Sequence, residues 1–351
     1  MDYLKTIDKN KLDYFNILEP NFPNWLNDYI NTKELLHQQY ISVSCGMIYS
    51  DLSKNKYFYS SLDHSIAVAL IIWHFTHSKE QTLSGLFHDI STPVFKHCVD
   101  FLNGDYIKQE STEDKTLQIL INSKDIMSLL KKDNIDIKKV YDYHIYPIAD
   151  NDTPKLSSDR LEYSLSNALF IHNILTLDEV KKIYNDIEIQ YDNDIELGFK
   201  NLVYADKFVY ITSKMSVLYR DDKTRYSMQL LADILKRLCQ ENIITKDDLY
   251  ILKEKDIIDI ILNSKYSDIF NIWRNSKNVK ISSIEPSDVY NVNIKSKVRY
   301  INPLVNGIRI TKLSLKANEL INNNLNYDMS NYIYLDNINF KNKVKELKWK
   351  K

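Results

Sequence analysis

Ser61-Leu-Asp-His64-Ser-Ile-Ala-Val68 and Gly85-Leu-Phe-His88-Asp89-Ile90 are the two stretches on which the fold turns. Residues 64–77 predict one helix, apolar on nearly every face and therefore buried. Ser78, with Gln81 three residues on, caps the next helix. That helix turns Leu83, Leu86 and Phe87 inward and ends near His88-Asp89, because Pro93 prevents a simple continuation. A buried imidazole or carboxylate on such helices is costly without a partner. His88 and Asp89 are neighbours and cannot share one face of a straight helix. At a frayed helix end both can turn toward a common point.

A third helix, after the long turn at 146–154, carries Asp159 with Leu161, Leu165, Ala168 and Leu169. His64, His88, Asp89 and Asp159 together make a mixed nitrogen and oxygen donor set. Such a set suits Mn, Fe, Ni, Zn or Mg, not copper or iron–sulfur chemistry. Taken singly, each residue has an ordinary reading as well. His64 reads as a core histidine, and Asp159 reads as a helix cap after Ser157-Ser158.

The order H…HD…D, with intervals of 24 and 70 residues, resembles the HD-domain superfamily of metal-dependent phosphohydrolases. Pro93-Val-Phe95-Lys-His97 and Ser158-Asp159-Arg160-Leu161-Glu162-Tyr163 extend the resemblance, which covers roughly residues 25–265. Within the superfamily the chain is most similar to the deoxynucleoside triphosphate triphosphohydrolase-like branch. Thr32, the stretch Tyr40 to Gly46, Leu218 to Arg225 and Asp256 to Asp259 carry that similarity. The resemblance implies that His64, His88, Asp89 and Asp159 bind a divalent metal and that Asp100 supports catalysis. It also implies a homo-oligomer. Four positions depart from the branch. Thr92 and Gln109 stand where it has histidines, Ser61 stands where it has a phosphate-binding arginine, and His37-Gln38-Gln39 stands where it is arginine-rich. His97, His144 and Glu110 are therefore the candidates for the acid that protonates a leaving oxygen. Arg160, Tyr163, Arg220, Lys223 and Arg225 are candidate phosphate or substrate contacts.

The remaining sequence sets the frame. Only 5 glycines occur in 351 residues, none in a G-x-G arrangement. That excludes the ordinary dinucleotide fingerprint and P-loop and disfavours a hairpin-rich barrel or sandwich. The three widely spaced cysteines fit a reducing cytoplasm. No apolar run is long enough to span a membrane. A net charge of −1 gives no global field for nucleic acid. The expected fold is mostly α. An HD helical bundle with its N-terminal extension occupies 1–200, a helical continuation 201–270, and a small α+β region 271–351. Short strands are expected at 279–282, 289–294, 298–301 and 308–313, and extended chain near 40–49. The expected activity is hydrolysis of a nucleotide or related phosphate ester by metal-activated water. Nucleotide sensing with little turnover, or a phosphodiesterase acting on cyclic nucleotides or nucleic-acid ends, are the alternatives.

Overall fold

The computed structural model of the protein describes residues 2–109 and 115–338. Glu110 and the lysines from 341 onward lie outside the described residues. Helix α1 (Lys9–Leu18) starts at Asp8, whose carboxylate accepts from the Asn10 and Lys11 amides. Helix α2 (Ser61–Thr76) opens with a reciprocal cap between Ser60 and Asp63 and is buried without a break from Ser61 to Ile72. It therefore runs through the middle of the bundle, as its uniformly apolar sequence requires. Helix α3 (Lys79–Phe87) begins at the Ser78 cap. Gly85 lets it lie close to α2, since a Cβ there would stand 2.2 Å from Ile72 Cδ1. A short helix α4 (Cys98–Asn103) ends at Gly104 in the left-handed conformation.

Helix α5 (Ser158–Ser166) packs on α2 and runs into a single wide π-turn at Asn167–Ile171. Thr176 and Glu179 form the expected reciprocal cap of α6 (Leu177–Tyr184). A hairpin of β1 (Ile187–Asp192) and β2 (Asp194–Phe199) follows, with Asn193 at φ 62° in its turn. Two long helices, α7 (Leu202–Leu218) and α8 (Asp222–Gln240), fill the span expected to hold one or two. Helix α9 (Glu254–Leu262) follows a four-residue helical turn at Asp248–Ile251.

The C-terminal part carries β3 (Lys280–Ser282), β4 (Asn291–Val292), β5 (Leu304–Val305), β6 (Ile308–Arg309), α10 (Leu315–Leu325) and β7 (Tyr332–Tyr334). One sheet has the order β1-β2-β5-β6, with β2 and β5 parallel, and the other has the order β3-β7-β4. The architecture is a helical body with a smaller α+β C-terminal region. Three local expectations change. Residues 298–301 are irregular rather than a strand. Residues 38–49 are short 3-10 turns joined to Ser60 by a single bridge at Ser42. The helix expected to reach 132 divides at Ser123, whose extended backbone and side chain cap the second piece, Lys124–Lys132.

Among the described residues two large apolar cores result, neither following chain order, and a small third cluster joins Val68 and Ile72 to Ala149. One joins α1, α2, α3, α5 and α7 to Val305, Ile310, Ala317 and Ile321. The other joins residues 94–102, α8 and α9 to Val292, Ile333 and Leu335. The C-terminal region thus supplies apolar side chains to both. Among the described residues no helix is long and apolar enough to cross a membrane.

Candidate metal centre

His64 lies in the first turn of α2, His88 and Asp89 follow the last residue of α3, and Asp159 lies in the first turn of α5. Three helix ends thus meet at one point. His64 Nε2 is 3.2 Å from His88 Nε2 and 3.1 Å from Asp159 Oδ1. His88 Nε2 is 3.8 Å from both Asp159 Oδ1 and Asp89 Oδ1. Ligand atoms of His64, His88 and Asp89 all fall within 4.8 Å of one another. Donors about 2.1 Å from one ion sit about 3 Å apart at right angles and about 4.2 Å apart when opposed. The observed separations fall around that range.

The tautomers sharpen the fit. His88 Nδ1 lies 2.6 Å from the Gly85 carbonyl, which can only accept, so Nδ1 carries the proton. His64 Nδ1 bonds the fully buried Glu162 carboxylate. Both Nε2 lone pairs then face each other beside two carboxylates. Only a cation, a proton or a metal ion, satisfies that arrangement. Burial alone would lower His64, but Glu162 and Asp159 outweigh it and push it up to about 10. Burial would raise Asp159, yet its bond to His64 and the charge there bring it down to about 2. The His64/His88/Asp89 cluster can coordinate a divalent metal ion.

Glu162 is the site residue the sequence reading passed over. It orients His64 as a carboxylate behind a ligating imidazole does. Tyr59 donates to it at 2.7 Å and Ser166 at 3.2 Å. Its position four residues before Ser166 and three after Asp159, on one helix face, was the available signal. Lys96 was also passed over. Its ammonium lies 2.5 Å from Asp89 Oδ2.

The cluster lies on the wall of a cavity of about 1220 Å³. Of the other expected residues, His97, His144, Arg160, Tyr163 and Lys223 line it. His97 Nδ1 bonds the buried Asp100 carboxylate at 2.9 Å. The His144 side chain is 55% exposed, with Nε2 3.6 Å from Asp150. Arg160 braces the preceding turn through Asn151 at 2.6 Å and the Lys155 carbonyl. Tyr163 stands edge-on to Tyr219, and burial raises its hydroxyl to about 12. Lys223 donates to the Lys277 carbonyl.

Arg220 and Arg225, expected among the phosphate contacts, are placed otherwise. Both are fully buried and outside the cavity lining. Arg220 donates to the Asn324 backbone and side chain. Arg225 donates to the carbonyls of Arg220, Ile294 and Met329 and to Asp222. These bonds hold the C-terminal region to the turn between α7 and α8 and to the first turn of α8. The irregular segment 297–300 brings Arg299 to the cavity instead, where it donates to Gln109 Oε1 at 2.7 Å.

No family model matches the chain. It is 23% identical over 263 residues to the uncharacterized protein YdhJ of Bacillus subtilis, covering 73% of this chain and 77% of that one. It is 25% identical over 253 residues to the uncharacterized protein MG461 of Mycoplasma genitalium, covering 62% and 58%. Its fold is similar to that of a solved phosphohydrolase from Bacteroides thetaiotaomicron. The TM-score is 0.59 at 13% identity, over 88% of this chain and 94% of that one. A hypothetical protein from Aquifex aeolicus gives a TM-score of 0.56 at 16% identity, over 90% and 92%. The mostly helical architecture is therefore shared with a phosphohydrolase.

Proposed function

We propose that this chain is a metal-dependent phosphohydrolase of the HD superfamily, acting on a nucleotide or related phosphate ester. The observation that carries the reading is the convergence of His64, His88, Asp89 and Asp159, with Glu162 behind them, on a cavity large enough for a nucleotide. These donors would hold a divalent ion, whose chemistry there would be to activate a water and polarise a phosphoryl group. Arg299 and Lys223, which line the same cavity, offer positive charge to phosphate. Tyr163 and Tyr219 offer flat apolar surface to a base or sugar.

His97 is the acid for the leaving oxygen. Asp100 holds its Nδ1, which leaves Nε2 for substrate. Burial lowers His97 against the bond from Asp100, and Arg299 and Lys96 lower it further. An entering phosphate offsets those two cations and favours the protonated ring. His144 is the second candidate for this acid, from the rim.

The positions that depart from the triphosphohydrolase-like branch hold other groups here. Gln109 holds Arg299, Ser61 donates to Asp89, and the Thr92 carbonyl accepts from Gln38. Thr92 and Gln109 favour the competing reading, a nucleotide sensor with little turnover. A phosphate-release screen separates the two. It covers nucleoside mono-, di- and triphosphates and cyclic dinucleotides, each with Mn, Mg, Fe and Ni. The hydrolase reading expects release that Asp89→Ala abolishes. Nucleotide binding without release under every metal would replace it by the sensor.

A further inference from the structure

Asp89 has two oxygens and two different cationic neighbours. Oδ1 lies 3.8 Å from His88 Nε2, and Oδ2 lies 3.9 Å from His64 Nε2. Oδ2 accepts from Lys96 Nζ at 2.5 Å and from Ser61 Oγ at 3.3 Å. A carboxylate shared in this way is what a two-metal centre uses, with two ions about 3.5–4 Å apart and the carboxylate between them. Here the second cation is a side chain.

The backbone places that side chain deliberately. Phe95 and Lys96 both adopt the left-handed conformation, at φ 59° and 46°. Two successive non-glycine residues there store strain that the surroundings must hold. Glu254 accepts from the Phe95 amide, the Val94 amide bonds the Leu249 carbonyl, and the Phe95 ring is fully buried. Lys96 is left 11% exposed, its stem covered and its ammonium at the cavity. A small cavity of about 30 Å³ is lined by His88 and Asp89 together with Ser91, Thr92, Lys96 and His97. Asp89 is its one carboxylate among the described residues, so a second divalent ion has no further anionic donor there.

The geometry points to Lys96 as the built-in second cation of the site: it confines the centre to one divalent ion and presents its ammonium to a phosphoryl oxygen of the substrate. This rests on the metal-site reading above and goes beyond it by setting the stoichiometry. Lys96 touches the substrate, and its charge is present before any substrate arrives.

Calorimetric titration with Mn²⁺ alone, then with inorganic phosphate on the Mn²⁺-loaded protein, tests it. Asn and Asp both tolerate the left-handed conformation, so Lys96→Asn and Lys96→Asp keep the local backbone. Far-ultraviolet spectra and melting curves confirm that each variant folds. The expected stoichiometry is one ion per chain for the natural protein and for Lys96→Asn, and two for Lys96→Asp. Phosphate should bind about tenfold more weakly to Lys96→Asn, the loss of one charged hydrogen bond. Two ions in the natural protein, one in Lys96→Asp, or unchanged phosphate affinity in Lys96→Asn would overturn the inference alone. No ion in the natural protein would overturn the metal-site reading and this inference with it.

Discussion

The floor of the cavity and its C-terminal wall are built in opposite ways. On the floor, three helix ends deliver four donors, and both imidazoles are held from behind. His88 leans on the Gly85 carbonyl, His64 on Glu162, and Glu162 on Tyr59 and Ser166. The wall at 297–300 is irregular chain. Its Arg299 donates to Gln109, and Asn324 holds the Arg299 backbone carbonyl. A floor of this kind fixes geometry before any ligand arrives, whereas a wall of this kind can adjust to one. Metal affinity should therefore depend on the floor and substrate affinity on the wall.

The largest effect should come from the floor. His64→Ala or Asp89→Ala is expected to strip the ion, so that elemental analysis of the purified protein falls from stoichiometric to a small fraction. Stoichiometric metal in His64→Ala would break the ligand set. Glu162→Gln tests the layer behind. It keeps the side-chain shape and removes the charge facing His64 Nδ1. Metal affinity should fall about 10–100-fold, the usual cost of losing such a support. An unchanged dissociation constant would show that Glu162 is only a core acid.

The two regions also differ in how far they can be read from sequence. The floor is written locally. Ser60 and Ser78 cap the helices, apolar runs define α2 and α3, and His88-Asp89 sits before a proline. Glu162 escaped because a glutamate near an arginine reads first as its ion partner, whereas Arg160 turns to Asp150 and Asn151 instead. The β1–β2 hairpin escaped although Ile187, Ile189 and Tyr191 alternate before Asp192-Asn193-Asp194, because the helical character of both flanks masked a period of two. The wall is less legible: the alternation at Val298-Arg-Tyr-Ile301 suggests a strand that does not form. Arg299 reaches Gln109 across 190 residues, and nothing near either residue announces it. Arg220 and Arg225 read in the sequence as candidate phosphate contacts, whereas in the fold both are buried and donate to carbonyls.

For the wall, Arg299→Ala should leave metal content unchanged and raise the KM of any phosphorylated substrate about tenfold, with kcat less affected. A fall in metal content would merge the two regions into one cooperative unit. An unchanged KM would remove Arg299 from the substrate surface.

The smallest effect concerns the rim. His172 follows the π-turn at the end of α5 and lines the cavity. Burial, and secondarily Lys214, lower it to about 4, below its ordinary value. The folded protein therefore binds fewer protons here than the unfolded chain between those two values. Its contribution to stability is complete above about pH 6.5 and is lost as pH falls toward about 4. At pH 5.5 the loss is about 1 kcal/mol, after allowance for partial solvent screening. Denaturant titrations at pH 5.5 and pH 8 on the natural protein and on His172→Asn measure it. The variant should show a smaller difference between the two pH values by about that amount. Parallel curves for the two proteins would mean that the rim opens to water and that His172 titrates as an exposed group, which would extend the adjustable wall around to the end of α5.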